Sequence, residues 1–267
     1  MSPAELTALI RSKRSYLCVG LDTDPQRLPQ VLQGEPDPIL AFNKQIITAT
    51  APYAIAYKIN IAFYEALGPS GWETLAKTLA SIPEGIFTIA DAKRGDIGNT
   101  SRMYAKAFFE SLSFDAITVA PYMGADSILP FLEFEGKWVF MLALTSNPGS
   151  KDFQFLGDPP LYQRVVHAGL EWESQSNGHM GFVVGATQET QLAEMRGLAP
   201  TSFFLVPGVG AQGGSLEEVC KQTANLQGGL LINSSRSILY ADAGPKFAQA
   251  AADKAKAMQQ EMALYIP

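Results

Sequence analysis

Eight short apolar runs punctuate this chain, and a segment of helical character follows each one. The runs are Tyr16 to Leu21, Ala54 to Asn60, Gly85 to Ala90, Asp115 to Ala120, Trp138 to Leu144, Met180 to Gly185, Ser202 to Val206 and Leu230 to Asn233. Each reads as a buried strand. The segments between them read as helices: Ile39 to Thr50 behind Asp37-Pro38, Gly71 to Ser81, Ser101 to Ser111, Ser127 to Glu133, Leu161 to Glu173, Gln188 to Arg196, Ser215 to Asn225, and a last one from Gly244-Pro245 to the C-terminus. Strands alternating with helices imply a parallel sheet. Eight such units in 267 residues fit one closed (β/α)8 TIM barrel, an α/β fold. The competing architecture is an open doubly wound sheet, but no Gly-x-Gly-x-x-Gly follows the first run. No linker interrupts the pattern, so residues 1–267 are expected to form a single domain. An additional N-terminal helix, Ser2 to Lys13, precedes it. There Ser2 can cap, Pro3 can open the first turn, and Glu5 can return to the cap.

Composition narrows the function. A hydrophobic share of 47% supplies a large core. A net charge of −6 disfavours nucleic acid or anionic membranes as bulk partners, yet allows a phosphorylated small molecule held at a local anion site. No apolar run approaches the ~18 residues of a membrane span, and the N-terminus does not resemble a signal peptide. A cytoplasmic protein is expected. Cys18 and Cys220 lack metal-type spacing and read as reduced, buried thiols. His167 and His179 lack ligand spacing as well, so neither a metal nor a cofactor is expected.

In a barrel of this kind the active site lies at the carboxyl ends of the strands, and the unusual residues fall there. Asp22 follows the first strand and Lys58 sits in the second. Asp91, Lys93 and Asp96 follow the third, in Ala90-Asp91-Ala92-Lys93-Arg94-Gly95-Asp96-Ile97-Gly98-Asn99-Thr100-Ser101. Residues i and i+2 of a strand share a face, so Asp91 and Lys93 are expected to project side by side. Alternating charges of this kind are expensive to bury unless they pair. A cation held among carboxylates can stabilise a carbanion and then protonate it. A carboxylate aimed at a substrate carboxylate is strained until carbon dioxide leaves. A structural salt-bridge network is the plainer alternative. After the fifth strand comes a long loop, Thr145 to Pro160, rich in Gly, Pro, Ser and Asn. After the seventh comes Pro207-Gly208-Val209-Gly210-Ala211-Gln212-Gly213-Gly214, and after the eighth Ser235-Arg236. Glycines let the backbone approach an anion, and Arg236 adds a forked cation at the usual phosphate seat of such barrels.

Asp91-Ala92-Lys93-Arg94-Gly95-Asp96-Ile97-Gly98-Asn99-Thr100 resembles the Asp-x-Lys-x-x-Asp-Ile-x-x-Thr signature of the orotidine 5′-monophosphate decarboxylases. The segment from Pro207 to Gly214 is similar to that family's phosphate loop, and Lys58 and Asp22 fall where the family keeps a Lys and an Asp. The resemblance spans the whole barrel, and length and loops are most similar to the second bacterial subfamily. It implies decarboxylation of orotidine 5′-monophosphate to uridine 5′-monophosphate, a step of pyrimidine biosynthesis. It implies that Lys93 protonates C6, that Asp91 sits beside the scissile carboxylate, and that Lys58 bridges Asp91 and a ribose hydroxyl bound also by Asp22. Asp96, Ile97 and Thr100 are implied to reach the partner subunit's site in a homodimer. Ser146 is implied to read the pyrimidine edge, with Thr145 or Asn147 as alternatives, and Gln212 and Arg236 to grip the phosphate. Where the family commonly has Gly, this chain has Ser235, whose backbone N–H is retained. Two rivals stand beside this reading. One is a magnesium-dependent sugar-phosphate decarboxylase or aldolase of the same barrel group, which needs a further acidic ligand. The other is a non-catalytic nucleotide-binding barrel.

Overall fold

The computed structural model describes residues 1–186, 189–209, 214–224 and 229–266. Eight parallel strands close on each other in sequence order. They are β1 (Leu17–Gly20), β2 (Ala56–Asn60), β3 (Phe87–Arg94), β4 (Ala116–Val119), β5 (Trp138–Leu144), β6 (His179–Val184), β7 (Phe203–Pro207) and β8 (Leu230–Ser234). β1 pairs with β2 on one edge, and with β8 on the other through Leu17↔Ile232, Cys18↔Asn233 and Val19↔Ser234. That closure removes the open-sheet alternative, and every expected strand is present.

The described helices are α1 (Pro3–Lys13), α2 (Pro38–Thr50), α3 (Ile61–Glu65), α4 (Pro69–Leu79), α5 (Gly98–Lys106), α6 (Ala125–Leu132), α7 (Leu161–Ser174), α8 (Glu189–Leu198), α9 (Leu216–Thr223), α10 (Arg236–Leu239) and α11 (Phe247–Met262). Side-chain caps start several of them. Ser2 Oγ accepts from the Glu5 amide, and the Glu5 carboxylate accepts from the Ser2 amide at 2.7 Å. Asp37 caps α2 by accepting from the Leu40 amide, and its second oxygen accepts from Thr74 of α4 at 2.6 Å, which ties two helices together. None of these helices is long and apolar enough to cross a membrane.

The two ends of the barrel are filled differently. Phe87, Trp138 and Phe203 begin alternate strands and meet edge to face at the amino-terminal end. The Trp138 ring lies 5.8 Å from Phe87 and 5.2 Å from Phe203, and Phe140 stacks on it at 6.1 Å. Bulky layers drawn from alternate strands are the packing rule of this fold. Asp22, Lys58, Asp91 and Lys93 gather at the opposite, carboxyl end.

Three details depart from the sequence expectation. The five-residue α3 and four-residue α10 were not expected, since such short helices carry no readable period. α5 begins at Gly98 and runs into a π-helical turn, Ala107–Ser111. β3 continues to Arg94 rather than stopping at Ala90, with a register shift against β4 between those two residues.

Candidate active site

Parallel closure brings the carboxyl ends of the strands into one ring. Lys58, near the end of β2, is 4% exposed. Its Nζ lies 3.2 Å from Asp22 Oδ1, in the loop after β1, and 2.8 Å from Asp91 Oδ2 on β3. Asp91 Oδ1 in turn takes Lys93 Nζ at 2.6 Å. Four groups of alternating sign therefore form one chain, Asp22–Lys58–Asp91–Lys93. Lys93 is at its open end, its side chain half exposed.

The pairing decides the protonation states. Burial alone opposes charge on Lys58, but Asp22 and Asp91 outweigh it and hold the ammonium above its ordinary range. Burial likewise pushes the Asp91 carboxyl up, and Lys58 with Lys93 more than reverses this, so it lies well below the usual carboxylate range. Both stay ionised at neutral pH. Directly beneath, the Cys18 thiol is pushed up to about 12, chiefly by burial, so it stays neutral.

Asp91 and Lys93 do meet, but not by simple strand alternation. Lys93 has φ 47°, a left-handed conformation that residues with a Cβ rarely adopt. The side-by-side arrangement is produced by a bulge, not by regular pleating. Thr118 of β4 faces that bulge: its hydroxyl donates to Asp91 Oδ1 at 3.0 Å and accepts from the Lys93 amide at 3.0 Å. The sequence reading passed over Thr118. The available signal was one hydroxyl inside the apolar run Ala116-Ile117-Thr118-Val119.

Asp96 lies apart from the cluster. Its Oδ1 accepts from the adjacent Ile97 amide at 2.7 Å, and its own amide donates to Ser101 Oγ at 3.1 Å. Ile97 and Thr100 are exposed. Within one chain, Asp96, Ile97 and Thr100 form a separate group at the start of α5. Arg94 buttresses this turn. It pairs with Glu65 of α3, donates to the Ala92 carbonyl at 2.9 Å, and lies 5.5 Å from the Tyr104 ring.

Two adjoining cavities open at the ring, and Lys58, Asp91 and Pro207 line both. The first, of about 240 Å3, is bounded by Lys93, Thr118, Thr145, Ser146 and Asn147 with the apolar Leu142, Val183 and Leu205. Charge on one wall and aliphatic side chains on the other suit a flat, polar-edged ring. The second, of about 190 Å3, is lined by Asp22, Gly208, Val209, Asn233, Ser234, Ser235 and Arg236. Arg236 starts α10 and is exposed, without an ion pair among the described residues. Val209 and Gly214 bridge at the base of the glycine-rich loop. Gln212, expected on that loop, lies outside the described residues.

Glycines make the walls approach. A Cβ on Gly20 would lie 1.9 Å from Ser235 Oγ, so the Ser235 hydroxyl is housed in a notch on β1. Asn233 Nδ2 donates to that hydroxyl at 3.3 Å. A Cβ on Gly185 would lie 2.7 Å from the Ser146 amide nitrogen, so the residue that follows β6 packs directly against the loop after β5. In that loop Gln154 accepts from the Thr145 amide and donates to Thr145 Oγ1, both at 2.8 Å, while Thr145 Oγ1 donates to Asn147 at 2.6 Å. Thr145 and Asn147 are thus engaged with the loop itself.

Comparison with known proteins gives the family. A model of the orotidine 5′-phosphate decarboxylase / HUMPS family matches residues 15–252. An orotidine 5′-phosphate decarboxylase of Christiangramia forsetii is 58% identical, across 98% of this chain and 98% of its own length. One of Phocaeicola vulgatus is 54% identical, with the same coverage of 98% on both sides. The solved structure of Leishmania donovani OMP decarboxylase is 40% identical, with a TM-score of 0.81 over 97% of this chain and 100% of that one. The barrel, its motif-bearing rim and these likenesses converge, and the chain belongs to the orotidine 5′-phosphate decarboxylase / HUMPS family.

Proposed function

We propose that this protein decarboxylates orotidine 5′-monophosphate to uridine 5′-monophosphate and carbon dioxide, completing de novo uridine monophosphate synthesis. The observation that carries this reading is the Asp22–Lys58–Asp91–Lys93 chain, with Asp91 and Lys58 at the junction of the two cavities. The pyrimidine occupies the cavity walled by Leu142, Val183 and Leu205, the phosphate occupies the one at Arg236, and the ribose crosses the junction.

In that pose the ionised Asp91 faces the substrate carboxylate. Their repulsion raises the ground state and is relieved as carbon dioxide departs. Negative charge builds at C6, and the Lys93 ammonium stabilises it and then delivers its proton there. Lys58, held protonated by two carboxylates, does not compete as the acid. It holds Asp91 in place and donates to a ribose hydroxyl, to which Asp22 also binds. Ser146 reads the pyrimidine edge. Pro207, Gln212, Arg236 and the Ser235 backbone N–H complete the phosphate end. No cofactor takes part.

The same reading makes the protein one functional domain acting as a homodimer with shared sites. The Asp96 carboxylate accepts from the Ile97 amide, no ion pair joins it to its own chain's Lys93 among the described residues, and Ile97, Met103, Tyr122 and Met123, on the segments that follow β3 and β4, are 57%, 49%, 88% and 48% exposed. Apolar exposure on this scale suits burial by a second copy, which would carry Asp96, Ile97 and Thr100 to the partner's site. Its buried free cysteines fit a cytoplasmic location.

The magnesium-dependent rival needs a set of metal ligands. Among the described residues no group of three His, Cys, Asp or Glu side chains converges, and the cation between Asp22 and Asp91 is Lys58. The deciding assay is loss of orotate absorbance on adding purified protein to orotidine monophosphate, with and without chelator. Turnover insensitive to chelation is expected. No loss of absorbance would defeat the decarboxylase reading, and loss abolished by chelator would transfer it to the metal-dependent class.

A further inference from the structure

Thr118 is 1% exposed and faces the irregular part of β3. Between the pairs Ala90↔Ile117 and Arg94↔Val119, β3 uses four residues where β4 advances two. The excess contains Asp91 and Lys93, and Lys93 takes its φ of 47° there. A left-handed residue with a Cβ persists only where its surroundings hold it. Here the holding contact is the 3.0 Å hydrogen bond from the Lys93 amide to Thr118 Oγ1. The hydroxyl has one proton, and the geometry sends it to Asp91 Oδ1, also at 3.0 Å.

We propose that Thr118 is a positioning residue for the decarboxylation, its hydroxyl setting both the turn that presents Lys93 and the orientation of the Asp91 carboxylate. This deepens the decarboxylase reading and rests on it. Asp91 carries three donors: Lys58 on Oδ2, and Lys93 Nζ and Thr118 on Oδ1. Lys58 and Thr118 are buried, whereas the Lys93 side chain is half exposed. Without the hydroxyl, Oδ1 keeps only its half-exposed donor, and the Lys93 amide loses its acceptor. The turn then relaxes and Nζ drifts from the reacting carbon. Misplacement by about 1 Å can cost on the order of 100-fold in rate. The cavity at Asp22 and Arg236, which takes the ribose and phosphate, is not lined by Thr118, so the binding those ends supply is preserved.

The test compares wild type, Thr118→Val and Thr118→Ser. Valine keeps the shape and removes the hydroxyl; serine keeps the hydroxyl. Thr118→Cys, similar in size and a weak hydrogen-bonding partner, replaces the valine variant if that one does not fold. Two readouts are taken: kcat and KM for orotidine monophosphate, and amide hydrogen exchange at Lys93. The expected result for valine is a kcat lowered roughly 10- to 100-fold with KM within about threefold, and faster exchange at Lys93. Serine is expected to restore both readouts to near wild type. A valine variant with kcat within about twofold of wild type would overturn the proposal. So would a change in KM alone, a serine variant as slow as valine, or unaltered protection of the Lys93 amide. If wild type does not consume orotidine monophosphate, the decarboxylase reading fails separately, and the exchange comparison still decides whether Thr118 sets the turn.

Discussion

The two ends of this barrel invert the usual expectation about cavities. The larger opening, about 790 Å3, lies at the amino-terminal end between α1 and the starts of β5, β6 and β7, against Trp138, Glu173, Met180 and Phe203. Among the described residues the carboxyl end offers about 190 and 240 Å3 in two adjoining chambers. Yet the carboxyl end holds four charges in one ion-pair chain, while the floor is an aromatic layer with Glu173 at its margin. Chemistry follows convergent, desolvated charge rather than volume. In parallel barrels strand direction points the loops that can vary to one end. The other end is free to be packed for stability alone.

The most severe way to break that contrast is to remove the charge at the open end of the chain. Lys93→Ala is expected to lower kcat by at least about 10^3-fold, in line with loss of a general acid that also stabilises the developing charge. Its half-exposed side chain contributes little packing and Asp91 keeps Lys58 and Thr118 as partners, so the variant should fold, with its thermal unfolding midpoint lowered by the loss of one ion pair. A purified, folded variant with near-normal turnover would place the chemistry elsewhere.

A second, smaller effect tests whether the rim is completed by another copy. Asp91→Ala and Asp96→Ala are each expected to be nearly inactive alone. After mixing and verified subunit exchange, half the dimers are mixed, and one of the two sites in each is intact. Recovery should therefore approach about a quarter of wild-type activity per site, the additive outcome for independent sites. No recovery would confine Asp96 to its own chain and separate the apolar patch around Ile97 from function.

How far these contrasts could be read from residues alone differs by region. The strands were legible because each is a short apolar run, most of them bounded by Gly, Pro or a charge, and closure followed from their number. The caps at Ser2 and Asp37 were legible because side-chain chemistry at a helix start is local. The partners of Lys58 were legible only as a cluster, since which carboxylate reaches Nζ depends on register between strands. The bulge at Lys93 was not legible: nothing marks a lysine for a left-handed φ, and the cause, Thr118, is 25 residues away on another strand. Gly20 and Gly185 were silent for the same reason, because their value lies in what approaches them from elsewhere.

The last contrast is in sign rather than size, and it concerns one carboxyl at each end. Asp91 lies below its ordinary range in the folded protein because Lys58 and Lys93 outweigh burial. Its stabilising contribution is complete above the unfolded value of about 3.9 and is lost as the pH falls below it, at up to about 1.4 kcal/mol per pH unit. Breaking a buried pair costs about 3–5 kcal/mol, so Asp91→Asn should be less stable than wild type by that order between pH 5 and 9. The gap should narrow by about 1 kcal/mol at pH 3. Glu173 runs the other way. Burial raises its carboxyl, only partly offset by the hydrogen bond from the Met180 amide at 2.8 Å. Its charged form therefore costs stability, and the cost appears as the pH rises through the unfolded value of about 4.3. Glu173→Gln keeps an acceptor for Met180 and removes the charge. It should be close to neutral near pH 4 and mildly stabilising at pH 7, with kcat unchanged, as denaturant unfolding at the two pH values would show. A loss of activity in this variant would mean that the floor communicates with the rim, and the division of labour between the two ends would have to be abandoned.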